Sequence, residues 1–345
     1  MLNSKTLKQL FIITTICAVP ILLIAIKPSR SAIQNKGALL LPHLLKSPEH
    51  VTRVIIQDAH GTLTFEHKHD AWKILEKNNF PVLHDKVEEL LYSLADLRIV
   101  EPKTANTQLY ADLGVNDVAP DKPETLMVTV QDDQEHDRAK LIIGKREGLK
   151  IGEDYIEQIF VRFAGDSQTW LVQGTLPISS DFKDWVEQPL LGLIDTDQLK
   201  QVEITNLNGE RVLIQKANPE QEDFVLASSK TRPGTALNLD LINTLPFEVA
   251  ELEFEDVVFA ADQNIDWSQS VRAEIETFSG LKIALNLVRK DGVVYSKVLA
   301  KALDDSNEDA KQIAEAYNDS TQQWYYKLSQ HAYDEITVAN ADLLK

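Results

Sequence analysis

One succession of strands, turn and helix occurs twice along this chain, the second copy beginning 148 positions after the first. Between Val54 and Phe65 apolar and polar residues alternate on either side of turn residues at 58–61, and this pattern predicts a β-hairpin. It returns at Val202, Ile204, Gly209 and Leu213, which follow Val54, Ile56, Gly61 and Phe65 at that spacing. A chain with such an internal repeat is expected to fold into two similar units.

A helix and further strands follow each hairpin in the same order. Apolar residues between Val82 and Leu97 recur at helical spacing, and residues 237–249 take this place in the second copy. Further strands are predicted at 98–100, 126–130, 141–143, 159–163 and 170–172, and in the second copy at 254–259, 271–278, 281–288, 295–298 and 324–326. We therefore predict an α+β fold, a tandem repeat of two similar units, 46–190 and 191–345, each a mostly antiparallel β-sheet with one main helix. The second unit carries a helical insert near 304–318. Chance recurrence of hairpins is the alternative.

The first thirty residues predict a membrane anchor. The run from Leu10 to Ile26 has seventeen uncharged, mostly apolar residues. As a helix it would be about 25 Å long, the short end of a membrane span. Basic residues directly after it argue against signal cleavage, although a cleaved signal peptide and a buried soluble helix are alternatives. The fold therefore includes an N-terminal transmembrane helix, with 1–30 as the anchor and its flanks and 31–45 as a linker.

Charge and cysteine content indicate a compartment and exclude one class of partner. The net charge is −18 at pH 7, and so acidic a body is repelled by phosphate backbones, which predicts no nucleic-acid partner. The only cysteine, Cys17, lies in the apolar run, so the body has no thiol to oxidise. Lys5 and Lys8 on the short tail favour an inside N-terminus. We predict a single-pass protein of the inner (cytoplasmic) membrane, with its N-terminus inside and its body in the periplasm.

Several short motifs follow one another in an order that resembles a known bacterial family. They are DAWKI at 70–74, LADLRIVEP at 94–102, YADLGV at 110–115, IIG at 142–144, FVRF at 160–163 and TWLV at 169–172. Over nearly the whole body, this succession is similar to the family called domain of unknown function 4340. The resemblance implies a membrane-anchored envelope protein, often encoded beside gliding-type ABC transport components, and hence an accessory role in such a system. It carries over no catalytic residues. In the second copy YADLGV becomes FAADQNIDW at 259–267, which leaves open whether the two units share a function.

The chain carries none of the short motifs that mark common active sites. A GxSxG elbow, an HExxH helix, a glycine-rich phosphate loop and a dinucleotide fingerprint are absent. The segment Gly144–Gly148 has neither the spacing nor the hydroxyl of a phosphate loop, and we interpret it as a hairpin turn. The acidic runs at 132–137 and 304–309 are interpreted as a solvated loop and a helix cap rather than calcium loops. No catalytic, cofactor-binding or metal-ligating residue is assigned, and no cofactor is predicted.

His67 and His69 are the most plausible metal ligands. Residues two apart on a strand project to the same face, so both imidazoles could reach one metal ion. Further ligands would come from Asp58, His60 or Asp70. However, the strand is expected to end near Glu66, and the positions 148 residues later are Gln215 and Ala217. We interpret the pair as the solvated exit of a hairpin, with metal binding as the alternative. Trp72 is predicted to be a core residue.

Two classes of function are compatible with these observations. The preferred one is a non-enzymatic envelope protein that its N-terminal helix holds at the membrane. It would act as a binding or accessory component of an ABC-type transport system, with transporter subunits as possible partners. The alternative is an envelope-polymer hydrolase, because glycosidase chemistry needs only two carboxyl groups at a suitable distance. A cleft with two facing carboxyl groups whose pKa values shift in opposite directions would favour the hydrolase.

Overall fold

The structure, a computed structural model, describes residues 36–44, 51–151, 154–227 and 236–345. The predicted membrane span from Leu10 to Ile26 lies outside these ranges. Within them, no helix combines the length and the apolar character that crossing a membrane requires. The described chain is α+β, with two antiparallel sheets and few helices, which confirms the predicted fold class at this level.

The described residues form seventeen strands and five α-helices. In chain order the strands are β1 (Val51–Gln57), β2 (Thr62–Lys68), β3 (Ala71–Ile74), β4 (Phe80–Pro81), β5 (Arg98–Pro102), β6 (Leu126–Asp132), β7 (Asp137–Ile151), β8 (Asp154–Phe163), β9 (Thr169–Gln173), β10 (Leu199–Thr205), β11 (Arg211–Gln215), β12 (Val225–Leu226), β13 (Asp256–Phe259), β14 (Val271–Thr277), β15 (Leu281–Lys290), β16 (Val293–Ala302) and β17 (Trp324–Leu328). The helices are α1 (His84–Asp96), α2 (Tyr110–Leu113), α3 (Leu239–Ala250), α4 (Glu308–Thr321) and α5 (Gln330–Ile336).

The chain divides into two compact units, each formed by two separate stretches of the sequence. The first unit comprises the residues up to Lys68 together with Asp85–Ser180. The second comprises Asp181–Lys345 together with His69–His84, a segment that carries β3 and β4. The predicted units 46–190 and 191–345 are defined by the repeat in the sequence, not by contacts, and this division stays a prediction. By contacts, residues 69–84 belong to the second unit.

Within the first unit, seven strands pair antiparallel in the order β2-β1-β6-β7-β8-β9-β5. The predicted hairpin is confirmed: Val54 faces Phe65 across β1 and β2. The Asp58 carboxylate closes the turn by accepting hydrogen bonds from the backbone N–H groups of His60 and Gly61, at 2.7 and 2.9 Å. Residues 36–44, the described part of the predicted linker, run antiparallel to β5.

Arg162 on β8 ties together the short motifs of the first unit. Its guanidinium donates hydrogen bonds to the backbone carbonyl oxygens of Val115 and Asp166, each at 3.0 Å. It also pairs with the Asp117 carboxylate at 2.6 Å and lies 4.6 Å from the centre of the Tyr110 ring. Arg162 and Tyr110 are both buried. The residues that carry the family resemblance here are therefore packing and turn residues.

The segment Gly144–Gly148 lies inside β7, so the prediction of a hairpin turn there is wrong. The pairing of β7 with β8 shifts register between Ile143 and Arg146, the mark of a β-bulge. A Cβ atom on Gly144 would overlap the carbonyl oxygen of Leu113. Glycine is therefore used here for a close backbone approach within a strand, which the sequence pattern alone does not separate from a turn.

The sheet of the second unit has eight strands, in the order β12-β11-β10-β14-β15-β16-β17-β13. A helix, α4, occurs where the helical insert is predicted; it lies between β16 and β17 in the chain and packs on β16. Asn307 caps α4 by accepting a hydrogen bond from the N–H of Ala310 at 3.1 Å, and Glu308 and Asp309 occupy the first turn. The interpretation of this acidic run as a helix cap is thus confirmed.

Candidate functional site

The second unit contains a largely apolar cavity of about 410 Å³. Four stretches that are far apart in the sequence line it: residues 80–83 at β4, the loop 187–193, Phe254 after α3, and the end of α4 with Tyr326 on β17. The volume lies in the range of about 300–1,000 Å³ that is usual for small-molecule sites. Of the described parts of the molecule, this cavity best fits a binding function.

Aromatic rings form one side of the cavity. Phe80 packs edge-on against Trp324 and Phe254, with ring centres 4.9 and 6.3 Å apart. Phe254 in turn contacts the Tyr326 ring, with centres 5.0 Å apart. Rings at these separations and tilts attract one another beyond simple burial, so the wall is well defined.

Side-chain and backbone hydrogen bonds hold the loop 187–193 over the cavity. The Gln188 side-chain amide donates to the carbonyl oxygen of Phe254 at 2.9 Å and accepts from the Phe254 N–H at 3.2 Å. The N–H of Leu190 donates to the carbonyl oxygen of Leu252 at 2.8 Å. Glu187 is an exposed residue of this loop. Its carboxylate is the only one among the described residues that line the cavity.

Two tyrosines differ in how their hydroxyl groups are satisfied. Tyr317 on α4 donates a hydrogen bond to the carbonyl oxygen of Leu190 at 2.7 Å. Tyr326 is 2% exposed, and no described residue hydrogen-bonds its hydroxyl. Burial raises the pKa of both hydroxyls above the ordinary value, with Tyr326 adding to the effect on Tyr317. Both groups are therefore neutral phenols that can donate a hydrogen bond at physiological pH.

A bridged carboxylate lies close to the aromatic wall. Asp256 on β13 pairs with Lys77 at 2.5 Å and with Lys327 at 3.0 Å. Burial would raise the pKa of Asp256, but the hydrogen bonds from the two lysines outweigh burial and hold the pKa below its ordinary value. The Lys77 ammonium also lies 5.4 Å from the centre of the Phe182 ring. These contacts join the segment 69–84 to the rest of the second unit.

The two candidate metal ligands occupy different backbone environments. His67 is part of β2, which extends to Lys68 and thus beyond the predicted end near Glu66. His69 follows the strand with a φ of 52°, and Asp70 has a φ of 59°. The strand alternation that would put both imidazoles on one face therefore ends between them. Among the described residues, no group of three or more potential metal-ligating side chains occurs.

Trp72 and the acidic run 132–137 are the two remaining features that the sequence singled out. Trp72 is confirmed as a core residue, at 4% exposure. The run 132–137 joins β6 to β7, and the Asp132 carboxylate accepts hydrogen bonds there from the N–H groups of Gln134 and His136. The pKa of Asp132 is lowered, and the hydrogen bond from the backbone N–H of His136 is the largest cause.

A carboxyl group with a raised pKa occurs outside the cavity. Glu248 on α3 has a raised pKa, first because of burial and second because of the nearby Glu335 on α5. Neither residue lines either of the two described cavities. A second, open cavity beside α4 contains Asp304, whose pKa is lowered by hydrogen bonds from Ser306. The hydrolase alternative stays a prediction, and no described cleft supports it with an opposed pair.

The cavity residues were not predicted from the sequence as a site. Phe80, Leu193 and Tyr326 belong to no motif, and only the fold brings their stretches together. The one available signal is Tyr317, which the helical pattern of the insert places on the same face as Ala310 and Ala314.

A model of a protein family, described as domain of unknown function (DUF4340), matches residues 72–268. The match covers more than half of the chain, beginning at Trp72 in β3 and ending before β14. No curated protein matches the chain. No solved structure matches it either.

Proposed function

Because the chain belongs to the family of domain of unknown function DUF4340, we propose that it is a non-enzymatic, membrane-anchored envelope protein that binds a substrate or partner of an ABC-type transport system. The family description assigns no activity. The link to transport rests on what the resemblance of the motifs implies, and the binding role rests on the cavity of the second unit.

The cavity is the observation that carries the binding role. Its walls are mostly apolar and aromatic, and Glu187 carries the only carboxylate among the described lining residues. Apolar walls with a few polar groups are typical of sites that hold a ligand, whereas glycoside hydrolysis uses two carboxyl groups facing one substrate. The cavity therefore supports binding more strongly than hydrolysis.

The anchor and the location complete the proposal. The segment from Leu10 to Ile26 would hold the chain in the inner membrane, with Lys5 and Lys8 inside and the body in the periplasm. An accessory component held at the membrane surface would meet a transporter without needing high affinity, because anchoring raises the effective concentration of the two proteins.

We further propose that the two units are a tandem repeat. The orders β2-β1-β6-β7-β8-β9-β5 and β11-β10-β14-β15-β16-β17-β13 place corresponding strands at corresponding positions. Register shifts follow Val51 in the first sheet and Leu199 in the second, 148 positions apart.

Rows of residues that face one another across successive strands also correspond between the two sheets. One runs Gln57, Met127, Ile142, Arg162, and its counterpart runs Thr205, Arg272, Asn286, Lys297. The cations that end these rows each lie 4.6 Å from the centre of an aromatic ring, Tyr110 and Trp267 respectively. Matching registers at this level of detail support duplication over chance recurrence of hairpins.

Cross-linking in intact membranes tests the proposed function. The full chain, carrying an affinity tag, is cross-linked and its partners are identified by mass spectrometry. The matched control keeps residues 1–45 and replaces the body with an unrelated periplasmic domain. We expect subunits of an ABC transporter to be enriched with the full chain over the control. Equal recovery with both chains, or recovery with neither, would overturn the proposal.

A further inference from the structure

We propose that the cavity of the second unit binds a small neutral or cationic molecule with an apolar, ring-sized body and a hydrogen-bond acceptor at its buried end, which accepts from the Tyr326 hydroxyl. This inference rests on the proposed binding function and specifies its ligand. It follows from one unsatisfied donor, the side chains around that donor, and the size and charge of the cavity.

The Tyr326 hydroxyl is the unsatisfied donor. Tyr326 lines the cavity, is 2% exposed, and has no hydrogen-bond partner for its hydroxyl among the described residues. The hydroxyl oxygen is not one of the fully buried side-chain atoms that lack a partner, so it is open to the cavity. A polar group at the wall of an apolar cavity is typical of those that orient a ligand. Tyr317, the other tyrosine of the cavity, is paired with Leu190. A ligand acceptor would satisfy the remaining hydroxyl.

The neighbour of Tyr326 on the sheet is also a hydroxyl residue. Ser296 on β16 lies directly opposite Tyr326 on β17, so both side chains are on the same face. Ser296 is fully buried, and its Oγ has no hydrogen-bond partner among the described residues.

The first unit has no hydroxyl group at the equivalent place. Because Arg162 and Lys297 hold equivalent positions, the counterparts of Ser296 and Tyr326 are Val161 and Trp170. Packing alone would favour the apolar pair, since it leaves no buried hydroxyl unsatisfied. Of these two hydroxyl residues, Tyr326 lines the cavity and Ser296 is not among the described lining residues, so only the Tyr326 hydroxyl is assigned to the ligand.

Size and charge restrict the ligand further. A volume of about 410 Å³ admits a single ring with short substituents and lies near the small end of known ligand sites. Among the described residues that line the cavity, Glu187 is the only charged one. A carboxylate there disfavours an anionic ligand and tolerates a neutral or cationic one.

A pair of nearly isosteric probes tests the inference. 4-Fluoroacetophenone has a ring and a carbonyl acceptor, while 4-fluoroethylbenzene has the ring without the acceptor. Binding to the full chain in lipid nanodiscs is followed by fluorine NMR, with chain-free nanodiscs subtracted to remove partitioning into lipid. We expect Tyr326→Phe to weaken the ketone about tenfold, as loss of one buried hydrogen bond predicts, and to leave the hydrocarbon unchanged.

Two further variants complete the design. Tyr325→Phe removes a hydroxyl from the adjacent, less buried residue of β17 and should change neither affinity. Leu193→Trp fills the cavity and should abolish binding of both probes. No binding of either probe to the unaltered chain, or equal weakening of both probes by Tyr326→Phe, would overturn the inference. The cross-linking result is independent of these probes, so failure here with transporter subunits still recovered would reject the ligand class and keep the proposed function.

Discussion

At the scale of single residues, Asp256 links the stability of the second unit to pH. Its carboxylate is bridged by Lys77 and Lys327, and its pKa lies below the ordinary value of 3.8. A carboxyl group with a lowered folded pKa adds stability above its unfolded pKa, and this stability is lost as the pH falls through the folded pKa. The second unit should therefore lose part of its stability in acid as Asp256 becomes protonated.

Asp256→Asn is expected to reduce the free energy of unfolding by about 1 kcal/mol near pH 7, a modest value because the three side chains are partly exposed. Thermal unfolding at a series of pH values from about 7 to about 3 measures the difference between variant and unaltered chain. The difference should shrink as the pH falls below 3.8. Asp319→Asn, at an exposed position of α4, is the matched control and should show a small, unchanging difference. A constant deficit for Asp256→Asn across this range would contradict the assignment.

At the scale of elements, the segment 69–84 lies in the first predicted half of the sequence but packs in the second compact unit. β3 and β4 pair within it, and Phe80 on β4 packs against Phe182, Phe254, Trp324 and Tyr326. The backbone carbonyl of Lys77 accepts a hydrogen bond from the Trp324 indole at 3.4 Å. Removing the Phe80 ring should therefore loosen the second unit and leave the first unit intact.

Phe80→Ala is expected to destabilise the second unit by about 3–5 kcal/mol, the usual cost of deleting a buried aromatic ring. Hydrogen exchange followed by mass spectrometry locates the effect. Exchange should accelerate in α3, β13 and β17 and stay unchanged in β1, β6 and β7. Leu299→Ala, at a leucine of β16 that is 58% exposed, is the control and should alter neither set. Equal acceleration in both sets would refute the assignment of 69–84 to the second unit.

Local patterns predicted the elements well, while register and cavity depended on long-range contacts. Hairpins, helices and most strands follow from residue spacing, which reports which face is buried. The match of Leu213 with Phe65 is displaced by one residue, because Val54 faces Phe65 whereas Val202 faces Ile214.

The order of the predicted strands 170–172 and 324–326 would match Trp170 with Trp324, whereas under the proposed duplication the register matches Trp170 with Tyr326. Under the proposed duplication, both displacements come from loops and inserts of unequal length, which shift the numbering without changing the strand pairing. A cavity formed by stretches as distant as 80–83 and Tyr326 has no local signature at all.

At the scale of the whole molecule, the body and the N-terminal segment have different roles. The body supplies the sheets and the cavity, and the segment from Leu10 to Ile26 supplies the proposed attachment to the membrane. The full chain should sediment with membranes and should not be extracted from them by alkaline carbonate. A chain lacking residues 1–30 should instead be found in the soluble fraction. In intact spheroplasts, added protease should digest the body, since the proposed topology places the body outside the inner membrane.

Arginine substitutions in the apolar segment test whether its hydrophobicity is what holds the chain in the membrane fraction. Val19→Arg/Leu22→Arg should cost about 5–7 kcal/mol of membrane insertion, at about 2.5–3.5 kcal/mol for each arginine near the centre of a span. The chain should then leave the membrane fraction, while Val19→Leu/Leu22→Ile should remain in it. The mass of the mature chain separates an anchor from a cleaved signal, because only the anchor keeps Cys17. Loss of the N-terminal segment from the mature chain, or a body protected from protease until the spheroplasts are lysed, would contradict the proposed topology. The cavity would then have to be assigned to a different compartment and a different set of ligands.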